Sequence, residues 1–314
     1  MKKFLLPAVA AAVLSASPSL AADLKMITKA PPAPAFVAGW EHAYGLGIAT
    51  DYNFRGISQS NRKPSVNAYF EPRYNVSPNL QLYVGVGGYS ISFPNRAAAE
   101  IDLYGGFRPT IGPLAFDFGV LYYYYPGGQC FATVPPGTPD CAAQGPLPNG
   151  NFAKAKASFI EYYGKVSHTW QEVFTLGAAV YYAPNWLNTG APGTYGSGTA
   201  KYTLPANMFP KDVGMYISGE LGRYWLGTTD AFYGFTKLPS YNTWNAGFGI
   251  TYKLITLDFR YYDTDLSKGD CNALTGDHTA SGTTFITAAN PSGVGSNWCG
   301  QAFIAKLSID GTIK

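Results

Sequence analysis

Residues 40–55 read Trp-Glu-His-Ala-Tyr-Gly-Leu-Gly-Ile-Ala-Thr-Asp-Tyr-Asn-Phe-Arg. Trp40, His42, Tyr44, Leu46, Ile48, Thr50, Tyr52 and Phe54 take the even positions. Glu41, Ala43, Gly45, Gly47, Ala49, Asp51, Asn53 and Arg55 take the odd ones. A period of two belongs to a β-strand, whose successive side chains point to opposite faces. Bulky side chains on one face and small or charged ones on the other suit a strand between lipid and a crowded, wet lumen. The pattern recurs about eleven more times along the chain, which predicts an all-β fold, a transmembrane antiparallel up-and-down β-barrel of about 12 strands.

The further strands are expected near 66–76, 80–87, 100–108, 114–124, 160–166, 174–182, 201–205, 215–225, 244–252, 255–261 and 303–309, the segment 201–205 being the weakest. Turn signals such as Ser77-Pro78-Asn79 and Gly112-Pro113 make the connections on one side short. Those on the other side are longer, at roughly 56–63, 93–98, 126–154, 185–198, 227–241 and 266–299. An even strand number with that asymmetry is the outer-membrane arrangement, and closure satisfies the backbone where no water is present. Tyr52, Phe54, Tyr122 to Tyr125, Tyr181, Tyr182, Tyr261 and Tyr262 would form one interfacial aromatic girdle. Trp40, Tyr74, Trp170 and Phe174 would form the other. The competing fold is a soluble β-sandwich with an aromatic core.

Composition agrees with a barrel. Charged residues make up 13% of the chain, against about 25% in soluble domains. Aromatics reach 16% and Gly totals 36. The mean hydropathy of −0.05 is what alternating faces average to. Lys2 and Lys3, the apolar run Phe4 to Val13 and Ser19-Leu20-Ala21 read as a Sec-type signal peptide over residues 1–21, cleaved near Ala21. It implies export to the outer membrane of a Gram-negative bacterium. Without Lys2 and Lys3 the chain has 20 basic against 19 acidic residues, and a near-neutral chain suggests no nucleic-acid partner. Residues 22–37 are expected to be a Pro-rich, extended periplasmic linker, either an inert spacer or a segment that enters the lumen. Residues 38–314 are assigned to the barrel and its extracellular loops.

Four segments carry a resemblance to a known family: Gly47-Ile-Ala-Thr-Asp-Tyr-Asn-Phe-Arg-Gly-Ile-Ser-Gln-Ser60, Glu100-Ile-Asp-Leu-Tyr-Gly-Gly106, Asp117-Phe-Gly-Val-Leu-Tyr-Tyr-Tyr-Tyr-Pro-Gly127, and Tyr252 to Asp265. They resemble the TorF family of proteobacterial porins. The resemblance spans most of the chain after the signal peptide and implies an outer-membrane barrel with pore function, but no particular substrate. One departure is that such barrels usually finish in an aromatic residue, whereas this chain runs on through Asp310-Gly-Thr-Ile-Lys314. Either the last strand ends before a short tail, or recognition by the assembly machinery differs.

The charged residues assigned inward are Glu41, Asp51, Arg55, Glu71, Arg73, Glu100, Asp102, Arg108, Asp117, Glu161, Lys165, Glu220, Lys253, Asp258 and Arg260, nine acidic and six basic. Rings of charge set ion preference in pores, so an open barrel would be a weakly cation-selective, porin-like route for small hydrophilic solutes or ions. The alternative for each residue is pairing across neighbouring strands that holds a narrow barrel shut. Cys130 and Cys141 lie in one long loop and Cys271 and Cys299 in the last, so neighbour pairing is expected among three connectivities. The loops share a side of the barrel, which leaves cross-pairing open. The spacing contains no Cys-x-x-Cys, metal-ligand or cofactor motif, and neither Gly-x-Ser-x-Gly nor His-Glu-x-x-His occurs. His42, His168 and His278 read as interfacial or loop residues, so no enzyme activity is expected. The runner-up functions are surface adhesion or tethering through the long loops and, further off, a membrane-embedded hydrolase. The partners expected are outer-membrane lipid, lipopolysaccharide, the barrel assembly machinery and the solutes themselves. A homo-oligomer is compatible with the chain.

Overall fold

In the computed structural model the chain is described over residues 38–133, Cys141 and residues 144–314. The expected signal peptide and the Pro-rich linker lie outside the described residues. Twelve strands close into one antiparallel barrel. They are β1 (Gly39–Ala49), β4 (Ser65–Ser77), β5 (Leu80–Tyr89), β6 (Glu100–Ile111), β7 (Leu114–Tyr124), β8 (Phe159–Trp170), β9 (Phe174–Ala183), β10 (Gly193–Thr203), β11 (Val213–Leu226), β12 (Tyr241–Tyr252), β13 (Ile255–Thr264) and β14 (Ala302–Ile313). Each pairs with its neighbour in sequence, and β1 closes the ring on β14 with Leu46 opposite Ile309. Two very short strands, β2 (Asn53–Phe54) and β3 (Ile57–Ser58), pair with each other outside the barrel sheet.

The alternation is realised as two faces. Leu46, Ile48, Val84, Val86, Ile250 and Leu307 stand exposed on the outside, in a continuous apolar belt. A water-soluble protein rarely exposes such a band. In lipid it is the favourable surface, and the closed ring leaves no unpaired strand edge, so the barrel spans a membrane. Outward aromatics flank the belt. Trp40, Trp170, Phe174 and Tyr252 lie at the short-turn end, and Tyr122, Tyr124, Tyr162 and Tyr182 at the long-loop end.

The expected girdle needs correction. Tyr52, Phe54, Tyr123, Tyr125, Tyr181 and Tyr262 are buried: alternation sends every second residue of a tyrosine run into the lumen, and Tyr52 and Phe54 follow the chain inward after β1 ends at Ala49. Three boundaries also move. The first strand stops at Ala49 rather than running to Arg55. The weak strand is β10, Gly193–Thr203, so the expected loop 185–198 shrinks. Its outward residues Thr194, Gly196, Gly198 and Ala200 give almost no apolar signal, and pairing with β9 and β11 defines it instead. The last strand includes Asp310, Gly311 and Thr312, which pair with Gly45, Tyr44 and Ala43, so these residues belong to the strand rather than to a tail.

Inward tyrosines are accommodated by glycines on the next strand. Tyr104 lies over Gly85, its register partner on β5, and Tyr216 over Gly249, its partner on β12. A Cβ at either glycine would overlap the ring. Gly249→Val is therefore expected to destabilise the barrel by about 1–3 kcal/mol through overpacking. Gly88→Ala, at a position with no atom within 4 Å of the added carbon, should be close to neutral. Urea refolding midpoints in lipid vesicles measure both.

Candidate functional site

The lumen is closed from the long-loop side by the segment after β1. Thr50 still donates its backbone N–H to Ala305 at 3.0 Å, and the chain then turns inward as the β2–β3 hairpin. Its two-residue turn is Arg55 and Gly56, with φ of 49° and 87°. Positive φ at both central positions suits the twist of a tight hairpin. Asn53 Oδ1 accepts from the Gly56 N–H at 2.9 Å. Asp51 accepts from the Ser58 and Ser60 hydroxyls at 2.6 and 2.8 Å, fixing the base of the hairpin. Behind it the last long loop adds one more rung, as Ser58 N–H donates to Trp298 O at 2.8 Å.

The hairpin carries Arg55 to the middle of the lumen, where it is 1% exposed. Its two terminal nitrogens donate to the carboxylate of Glu161 on β8 at 2.7 and 2.8 Å. The rings of Phe54, Tyr181, Tyr195 and Tyr224 surround the guanidinium at 4.4 to 4.9 Å. Tyr123 and Tyr224 also donate to Glu161, at 3.0 and 3.3 Å, and Tyr241 donates to the Arg55 carbonyl at 3.0 Å. A bidentate, ring-enclosed arginine is among the stronger buried contacts a protein makes. On the neighbouring wall Glu100 accepts from Tyr52 at 2.5 Å and Tyr125 at 2.7 Å. Leu121, Phe159, Trp186 and Leu226 pack around this level, and on its loop side Phe54, Phe159, Trp186, Tyr241 and Leu274 line a cavity of about 270 Å³.

The short-turn half is polar and charge-paired. Along one wall Arg73 meets Glu71 at 2.5 Å and Glu41 at 3.6 Å, Arg108 meets Glu71 at 2.9 Å and Asp117 at 3.4 Å, and Lys165 meets Asp117 at 3.7 Å. Tyr83 donates to Asp117 at 2.5 Å and is hydrogen-bonded to Tyr163. On the opposite wall Arg260 meets Asp258 at 3.0 Å and donates to Asn245 at 2.7 Å, while Glu220 accepts from Tyr195 at 2.8 Å. Pairing across neighbouring strands describes Glu41 with Arg73 and Asp117 with Arg108 and Lys165, while Glu71–Arg73 and Asp258–Arg260 pair along a single strand and Arg55–Glu161 pairs from the hairpin.

Lys253 is a correction. It sits exposed in the β12–β13 turn with φ of 53°, where alternation has ended, and it lines nothing. Asp51 and Arg55 face the lumen from the hairpin and not from a strand. Lys201, Lys306 and Asp310 also face inward beyond the expected set; Asp310 lies past the expected end of the last strand, whereas Lys201 and Lys306 lie within expected strands. The inward tyrosines were missed as a group. Their signal was the glycine at the cross-strand position.

Cys130 pairs with Cys141 and Cys271 with Cys299, the neighbour arrangement. The second bond ties the short helix α1 (Lys268–Thr275) to the residue that bridges Ile57 of the hairpin. Replacing Cys271 and Cys299 with Ser is expected to remove about 3 kcal/mol of chain-entropy stabilisation and to speed proteolysis within 265–301 of the folded barrel. Limited proteolysis reads this directly. His42 stacks on Phe70, His168 is hydrogen-bonded to Pro113 O at 2.8 Å, and His278 packs edge-on to Trp298. Partial burial lowers the His278 pKa below its ordinary value, which keeps the ring neutral at pH 7.

A protein-family profile described as "Bacterial protein of unknown function (Gcw_chp)" matches residues 35–138. No curated protein matches the chain. Among solved structures, the COG4313 outer membrane channel from Pseudomonas putida F1 is 9% identical, covers 91% of this chain and 100% of its own, and has a TM-score of 0.45. The NanC porin is 8% identical over 86% of this chain and 99% of its own, with a TM-score of 0.41. LpxR from Salmonella typhimurium is 8% identical over 86% and 99%, with a TM-score of 0.40. All three are distant likenesses in overall form.

Proposed function

We propose that this chain is an outer-membrane, porin-like channel of a Gram-negative bacterium, a route for small hydrophilic solutes or ions that rests in a closed state. The observation that carries the reading is the Arg55–Glu161 lock, which pins an eleven-residue insertion, 50–60, across a lumen whose other half is polar. Displacing that segment joins the long-loop mouth to the charged half. The resemblance to the TorF porins supports the same reading, and the readable export signal agrees with it. Carboxylates outnumber cations on the inward face, which favours weak cation selectivity. Lipid, lipopolysaccharide and the assembly machinery are its natural partners, and the reading assigns no catalytic step.

The test is reconstituted conductance with a reversal potential in a potassium chloride gradient. The expected result is infrequent small steps with a reversal potential of cationic sign. Absence of steps from folded wild-type protein and from a lock-broken variant would sink the proposal. One observation favours a second reading, a non-conducting barrel acting through its loops, namely the buried aromatic cluster that closes around the hairpin in the lumen. Deleting residues 127–150 and measuring solute uptake separately from cell-surface binding distinguishes the two.

A further inference from the structure

Among the described residues that surround the Arg55–Glu161 pair, Asp102 is the charged side chain with no hydrogen-bond or ion-pair partner. It is 0% exposed, and neither carboxylate oxygen has a hydrogen-bond partner. It points inward from β6, next to Glu100 on the same face and between Gly87 of β5 and Tyr123 of β7 in register. Gly87 brings no side chain to the position. The charges acting on Asp102 are the carboxylates of Glu100 and Glu161. Arg55 gives both terminal nitrogens to Glu161, and the hydrogen bonds that Glu100 accepts come from the neutral hydroxyls of Tyr52 and Tyr125.

Neither protonation state of Asp102 is satisfied by the protein. The ionised form lacks a donor or a counter-charge, and the neutral form would bury an O–H with no acceptor. A small species bound between the carboxylates resolves both problems. We propose that Asp102 and Glu100 bind a hard cation at the barrel constriction, with tyrosine hydroxyls and water completing an oxygen shell. Carboxylate, phenol and water oxygens are the donors that calcium and the alkali cations take. Among the described residues no group of three or more His, Cys, Asp or Glu could hold a metal ion, so this is not a multi-ligand transition-metal centre. The site goes beyond the channel reading and stands whether or not the barrel conducts.

The tyrosines beside the carboxylates provide the readout, because they can sensitise terbium luminescence. Lipopolysaccharide-free protein, refolded in detergent, is titrated with terbium chloride under tyrosine excitation. Bound terbium is then displaced with calcium, sodium or potassium chloride, and choline chloride serves as the ionic-strength control. The expected result is saturable emission from one ion per barrel, displaced by a metal cation and not by choline. In Asp102→Asn the affinity should fall about tenfold or more. Calcium should also raise the temperature at which unboiled protein loses its folded gel mobility, by about 5 °C at saturating concentration. Glu100→Gln is the second variant, with a weaker site expected. No saturable emission and no cation-dependent shift in the wild type would overturn the proposal and leave a buried water as the occupant. Emission unchanged in Asp102→Asn, or in Glu100→Gln if the first variant does not fold, would overturn it as well, since surface carboxylates would then be the ligands.

Discussion

Replacing Arg55 with Ala should turn a barrel that conducts rarely into one that conducts steadily, while lowering its stability by about 3–5 kcal/mol. Both effects come from one site. The substitution empties the centre of the lumen and strands Glu161, a carboxylate with 0% exposure, with only the Tyr123 and Tyr224 hydroxyls for company. Breaking a buried pair from one side is costly because the remaining charge stays desolvated. Removing both charges together is different. Arg55→Leu with Glu161→Leu replaces the pair by apolar groups in an aromatic cage, and such replacements are often neutral or stabilising. The double variant should therefore recover stability and stay shut. Planar-bilayer recordings and urea titrations of the three proteins separate the charge from the plug. If Arg55→Ala gave wild-type conductance and stability, the lock would have no role in closure.

Val84→Arg is the second large effect. Val84 stands outward near the middle of β5 and is 59% exposed. On a water-soluble sandwich a charge at such a position would change stability by less than about 0.5 kcal/mol. On a lipid-facing strand near the bilayer midplane it should cost about 2–4 kcal/mol. Refolding into phospholipid vesicles along a urea gradient, followed by tryptophan fluorescence, measures the difference. Only the larger value is compatible with the apolar belt facing acyl chains.

The barrel itself was legible because each of its strands except β10 has one bulky apolar face. Where that face is absent the sequence goes quiet, as in the Thr194–Gly196–Gly198–Ala200 row of β10. The plug was hidden for the opposite reason. Tyr52 and Phe54 continue the alternation of β1, so the hairpin reads as more of the same strand, although both of its faces are buried. Its only local mark is Gly56, which fits a loop entrance equally well. Which inward charges pair could not be read from position alone, since pairing such as Arg108 with Glu71 depends on cross-strand register. The same register explains why Asp102 is left without a partner among Gly87, Tyr123 and two other carboxylates.

The seam between β1 and β14 has a consequence for biogenesis. Its two halves are the first and last strands of the barrel, so the ring cannot shut until both are in place. The hairpin follows β1 directly, yet its cage is assembled from β7, β8, β9, β10, β11 and β12. Arg55 therefore lacks its partners until those six strands stand side by side. Docking of the plug follows the assembly of its cage, and a sheet that lacked those strands would be an open, wet trough.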